Sequence, residues 1–343
     1  MATDVPAFRE KSLWSTPIRD LKLTIEGTRL EPIVAEFQKE LREAGITRVQ
    51  PRFYLSTEWG VPFDTIAIAI PFYLARPDLV ALHEEKVGHI EGFNRSDILR
   101  YLRHEMGHVI NYAYQLYNEA EWVKLFGSIS QPYEEEYRPL PFSHRFVRHL
   151  PGWYSQKHPD EDWAETFAVW MTPKRDWKKD YAGWPTALAK LEYCDRCMAM
   201  VRERDPIVID TELDEDVGEL EASLEKFYSS QETGQSEPLP GIDGALQSVF
   251  EEPEISDHEP PQPDRAVASA LIQRLQAEIT ATVYRWTGHF PERTRPLLRH
   301  LAERANALQL GYLKDQEAHV IVGLTALVTA LAMNYVLHGR YTP

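Results

Sequence analysis

The sequence predicts an α+β fold over its first 204 residues, then an acidic stretch and a small helical bundle. Three observations carry that expectation. Apolar residues recur at helical spacing in several windows and alternate as in strands in others. Between residues 205 and 264 they give way to acids, Pro, Ser, Gln and Gly.

The elements follow in order. LTIEGTRLEPIVAEFQKELREAG sets Leu30, Ile33, Val34, Phe37 and Leu41 on one helical face and closes on Gly45, a helix stop. TRVQPRFYLST reads as a strand. TIAIAIPFYLA alternates Ile with Ala up to Pro71, a strand in a sheet, and its edge suits an extended peptide. RSDILRYLRHEMGHVINYAYQLY is a long helix with Ser96 or Asn94 as N-cap. PDEDWAETFAVWM is another, opened by Pro159 with acids in its first turn. ALIQRLQAEITATVYRWTG, TRPLLRHLAERANAL and AHVIVGLTALVTALAMNYVL read as three more. The last holds an 18-residue run without a charge, 320–337, near the minimum for a membrane span. Gly323, two Thr, Asn334 and flanks with little Lys/Arg bias favour a buried helix of a bundle instead. The expected organisation is an N-terminal arm (1–20), an α+β domain (21–204), a disordered acidic linker (205–264) and a C-terminal helical domain (265–343).

The 343 residues, 43% hydrophobic, suffice for a sizeable core and about two domains. Cys194 and Cys197 form a lone CxxC, read as part of a helix end, and the lack of a disulfide framework fits a reducing compartment. The opening MATDVPAFREKSLW shows no basic segment followed by an apolar one, so a cytoplasmic location is expected. The net charge of −16 is local: residues 205–264 hold 18 acids against Lys226 alone. Such a stretch buries too little apolar surface to offset chain entropy. No basic, aromatic-interleaved patch points to nucleic acid.

The chemistry concentrates in HEMGH. His104 and His108 lie four apart, so on a helix both imidazoles leave one face at a spacing that suits two ligands of a tetrahedral zinc. Glu105 stands beside them, placed to move a proton from metal-activated water to a leaving amine. Gly107 lets a facing strand or substrate come close. Three fixed positions in five also recur without a metal, so a third ligand decides. GWYSQKHPDEDWAETFAVW offers Asp160, Glu161, Asp162 and Glu165. Glu161 and Glu165 are one turn apart: one can bind metal while another carboxylate fixes the far nitrogen of a ligating His. A capped acidic helix start accounts for Asp160 and Glu161, but not for Glu165 among Trp163, Ala164, Phe167 and Ala168, where a carboxylate needs a partner.

HEMGH followed by Glu-x-x-x-Glu resembles the gluzincin metallopeptidases, such as thermolysin and anthrax lethal factor. More closely, IEGTRLEP, TIAIAIPFYLARPDL, LRHEMGHVINYAYQL, GSISQPY, GWYSQKHPDEDWAETFAVWMTP and GWPTALAKLEYCDR resemble a bacterial family of zinc-binding metallopeptidases, over residues 20 to 200. The resemblance leaves out the acidic stretch and the C-terminal helices. It implies a zincin-like fold, a twisted sheet over the HEMGH helix with a helical half bringing Glu161 from below. It also implies one Zn2+ on His104, His108 and Glu161, with Glu105 as general base and Glu165 behind His104, or as the alternative third ligand. The same resemblance implies Tyr154, seven residues before Glu161 like the catalytic tyrosine of lethal factor, as oxyanion donor, with His158 as its rival.

The function expected is zinc-dependent hydrolysis of a peptide or protein substrate. The alternative is a catalytically silent zinc-binding regulator or adaptor. In that case the C-terminal helices would recruit a partner protein, or a membrane through residues 320–337.

Overall fold

Five apolar residues on one face build helix α1 (Leu30–Glu43), and all five are buried. Gly45 ends it with φ +81°, while Ile46 N–H reaches back to Leu41 O at 2.8 Å and closes the last turn. Strands β1 (Arg52–Ser56) and β2 (Ala67–Pro71) pair in parallel, Arg52 opposite Ala67 and Ser56 opposite Pro71. All five residues of β2 are buried, so its Ile–Ala alternation marks two covered faces, not one wet and one dry. Nor is its outer edge open over its length. Ala69 N–H donates to Gly60 O at 2.8 Å in an antiparallel bridge, which corrects the expectation of a bare edge for an incoming peptide. Among the described residues this unit holds a two-stranded sheet, built from the two windows read as strands.

Helices α2 (Pro77–Val87) and α3 (Arg95–Tyr114) follow. Asn94 is the N-cap of α3, its side-chain oxygen accepting from Asp97 N–H at 3.1 Å. Helix α4 (Ala120–Phe126) leads towards α5 (Pro159–Met171), and α6 (Pro185–Val201) carries Cys194 and Cys197 as buried free thiols. Helix α3 lies in the middle, its HEMGH residues all buried. It meets α5 where Gly107 faces Ala164, so closely that a Cβ on Gly107 would stand 2.7 Å from Ala164 Cα. The partner that Gly107 admits is therefore a helix, not the strand or substrate expected from the sequence. Trp163 seals the crossing, Nε1–H donating to Gly107 O at 2.8 Å.

The computed structural model describes residues 13–87, 89–133, 137, 139–140, 142–229, 241–251 and 264–342. The chain divides into a unit of residues 1–86 and 90–232 and another of residues 87–89 and 233–343. The acidic stretch expected as a disordered linker is, over residues 205–229, an ordered strap on the first unit. Ile66 N–H donates to Asp210 O at 2.7 Å, Val217 N–H to Leu55 O at 3.1 Å, and Ile18 N–H to Ala222 O at 2.9 Å. Val217, Leu224 and Tyr228 are buried. A few apolar anchors and backbone hydrogen bonds suffice to dock a segment whose acids face water. Residues 230–240 and 252–263 of that stretch, and 1–12 of the arm, lie outside the described residues.

The second unit adds α7 (Ile242–Gln247), α8 (Ala268–Arg274), α9 (Gln276–Thr287), α10 (Pro291–Ala307) and α11 (Glu317–His338). The window read as one helix breaks at Leu275 into α8 and α9. A short antiparallel pair, β3 (Arg265–Val267) with β4 (Gly311–Leu313), joins them. Leu271, Val283, Leu298, Leu301, Leu324 and Val328 share one core. Helix α11 buries one face there and leaves Val322 and Leu337 exposed. Among the described residues it is the helix long and apolar enough to cross a membrane.

Candidate metal centre

The spacing in HEMGH does what helical geometry requires. His104 Nε2 and His108 Nε2 lie 3.3 Å apart on one face of α3. The first turn of α5 supplies a third atom: Glu161 Oε2 is 3.0 Å from His104 Nε2 and 3.3 Å from His108 Nε2. Ligands at the 2.0–2.1 Å bond lengths of a tetrahedral zinc stand about 3.3–3.4 Å apart. The triangle is thus close to the base of such a tetrahedron. This buried group can hold a metal ion.

Behind each ligand stands a partner. His104 Nδ1 lies 3.0 Å from Glu165 Oε1, and His108 Nδ1 lies 2.9 Å from Asp160 Oδ2. A carboxylate at Nδ1 keeps the proton there and turns the Nε2 lone pair to the site. Glu165 is further engaged by the N–H groups of His149 (2.7 Å) and Leu150 (2.9 Å), so the carboxylate with an oxygen in the triangle is Glu161. Asp160 is held by Asn111 Nδ2 at 2.7 Å and the Tyr112 hydroxyl at 2.5 Å. On Glu161, the oxygen outside the triangle, Oε1, accepts from the Tyr133 hydroxyl at 2.6 Å.

The electrostatics favour positive charge at the centre. Burial works against protonated imidazoles, yet Glu161 and Glu165 outweigh it and lift His104 to about 9. Asp160 and Glu161 likewise hold His108 well above its ordinary value, against burial. Burial would raise the Glu161 carboxyl, but His108 and His104 bring it well below the usual range. Three buried carboxylates around two imidazoles are a charge imbalance that a divalent cation can neutralise. Glu105 shares the pocket, 4% exposed; burial pushes it up to about 7, opposed by His104 and His108.

Tyr154 sits edge-on to the His104 ring, centroids 5.5 Å apart, with its hydroxyl 3.4 Å from that of Tyr133. It hangs from a turn in which Gly152 and Trp153 have φ of 81° and 60°. Its rival His158 is used elsewhere. His158 Nδ1 accepts from Asp160 N–H at 3.2 Å as the N-cap of α5, so Nε2 carries the proton and donates to Gln131 O at 3.1 Å. His104, Glu105, His108, Tyr154, Glu161 and Glu165 come together, and His158 serves as a cap beside them.

Three contributors to the centre, Asn111, Tyr112 and Tyr133, lie beyond the sequence expectation. Asp160, one of the candidate carboxylates in the sequence, stands behind His108 rather than in the triangle. Asn111 and Tyr112 sit three and four residues after His108, on its face of α3, and that spacing is a signal the sequence does carry. Tyr133 arrives from a segment without periodicity. No protein-family model, curated protein or solved structure matches the chain.

Proposed function

We propose that the chain is a zinc-dependent peptidase of zincin-like fold, with His104, His108 and Glu161 as ligands. The observation that carries this reading is the triangle of ligand atoms, 3.0 to 3.3 Å on each side, with a buried Glu105 on the same helix. Two nitrogens and one carboxylate oxygen, which leave the fourth place of a tetrahedral ion to water or substrate, are the donor set of catalytic rather than structural zinc. A zinc ion held by His104, His108 and Glu161 would supply Lewis acidity to a scissile carbonyl and to water. Glu105 takes the proton that water gives up and hands it to the leaving amine. The Tyr154 hydroxyl, kept protonated by burial and by Glu161, donates to the developing oxyanion. Asp160 and Glu165 keep both imidazoles in the ligating tautomer. The resemblance of the sequence to bacterial zinc-binding metallopeptidases supports the same reading, which takes the chain as cytoplasmic and its substrate as a peptide or protein. A proteome-wide comparison of cleavage by the wild type and by Glu105→Gln tests it. New peptide ends are expected with the wild type alone.

A second reading keeps the metal and drops the chemistry, making the chain an adaptor that recruits a partner through its C-terminal helices. The apolar residues that α11 leaves exposed, Val322 and Leu337, favour it. Under it, Glu105→Gln changes nothing and removal of residues 265–343 abolishes recruitment.

A further inference from the structure

We infer that Tyr133 is a positioning residue of the metal centre, holding Glu161 to a single ligating oxygen. The inference rests on the metal-site reading above and does not depend on which substrate is cleaved.

A carboxylate offers two equivalent oxygens, and a lone Glu ligand can rotate to chelate through both. Here Glu161 Oε2 faces the two imidazoles while Oε1 accepts from the Tyr133 hydroxyl at 2.6 Å, within the range of a charge-assisted O–H···O⁻ bond. Chelation would require breaking that bond. Tyr133 therefore does for Glu161 what Asp160 and Glu165 do for the two histidines, and each ligand has its outer partner.

Described residues on either side of Tyr133 are hydrogen-bonded to the turn and helix start that flank the site. On one side Gln131 O accepts from His158 Nε2 at 3.1 Å. On the other, Tyr137 donates to Gly152 O at 2.8 Å, and Leu140 exchanges two hydrogen bonds with the Gln156 amide at 2.8 and 3.0 Å. Lys157 Nζ lies 4.3 Å from the centre of the Tyr133 ring. His158, the rival oxyanion donor in the sequence, thereby acquires a different role. It caps α5 and ties down Gln131, two residues before Tyr133.

The test is the full chain with Tyr133→Phe, compared with Tyr154→Phe, whose tyrosine bonds Tyr133 and not a ligand. Zinc affinity is read by competition with a chelating dye. Removing an outer partner of a ligand typically weakens metal binding about 10–100-fold, and that loss is expected for Tyr133→Phe but not for Tyr154→Phe. In the cobalt-substituted protein, Tyr133→Phe should weaken the visible d–d bands, as a second Glu161 oxygen takes the coordination from four to five. An unchanged zinc affinity and cobalt spectrum in Tyr133→Phe would overturn the inference. So would an equal loss in both variants, which would assign the effect to packing around the two tyrosines. A wild type that takes up no zinc would overturn the metal-site reading itself, a distinguishable failure.

Discussion

His108 Nδ1 lies 2.9 Å from Asp160 Oδ2, and Asp160 in turn receives the Asn111 amide and the Tyr112 hydroxyl, one turn along the helix from His108. A single acid thus ties the metal-facing imidazole to its own helix and to the start of α5. Asp160→Asn keeps the shape but loses the charge that orients the Nδ1 proton. Zinc affinity is expected to fall about 10–100-fold, measured by dye competition. The fold should survive, since the amide still fills the site.

Glu105 makes no edge of the ligand triangle, so Glu105→Gln should keep a full zinc content. Loss of a general base costs about 10²–10⁴ in rate. Peptide hydrolysis by the zinc-loaded variant is expected to drop by that factor, followed on any substrate found in the cleavage comparison.

The crossing of α3 and α5 has no room for a methyl group. A Cβ at position 107 would meet Ala164 Cα at 2.7 Å, a backbone atom that cannot step aside alone. Gly107→Ala should cost about 1–3 kcal/mol as overpacking, seen as a lower denaturation midpoint. Metal binding should weaken with it, because the same crossing sets Glu161 against the histidines.

How much of this is legible in the sequence depends on periodicity. Both histidines and the Glu161–Glu165 pair sit on helices, where spacing alone assigns a face, and the stripe of α1 from Leu30 to Leu41 is legible for the same reason. Asp160 is legible as a candidate carboxylate, but its place behind His108 is not, because an acid in a helix's first turn has an ordinary explanation. Tyr133 reaches Glu161 across 28 positions through a loop, and no local pattern encodes that. The strap of residues 205–229 is hidden by its acids, since composition averages out anchors as sparse as Val217, Leu224 and Tyr228. Strands of three residues such as β3 and β4 are too short to alternate.

Acid should destabilise the second unit through His289. This residue is 1% exposed, between the Thr294 hydroxyl at 2.8 Å and the Tyr341 hydroxyl at 2.9 Å, and burial lowers its pKa from 6.5 to about 4. A folded value below the unfolded one means the contribution is present above pH 6.5 and is lost as pH falls towards 4. The loss is about 3 kcal/mol across that window. Denaturant titrations at about pH 7 and about pH 4.5, which bracket most of that loss, should show a smaller drop for His289→Gln than for the wild type.

The most direct test of the account is the metal content of the purified chain, measured by elemental analysis beside His104→Ala, His108→Ala and Glu161→Ala. One zinc per wild-type chain, strongly reduced in each variant, is the expected result. A wild type that remains metal-free after incubation with zinc, or variants that bind it as the wild type does, would contradict it.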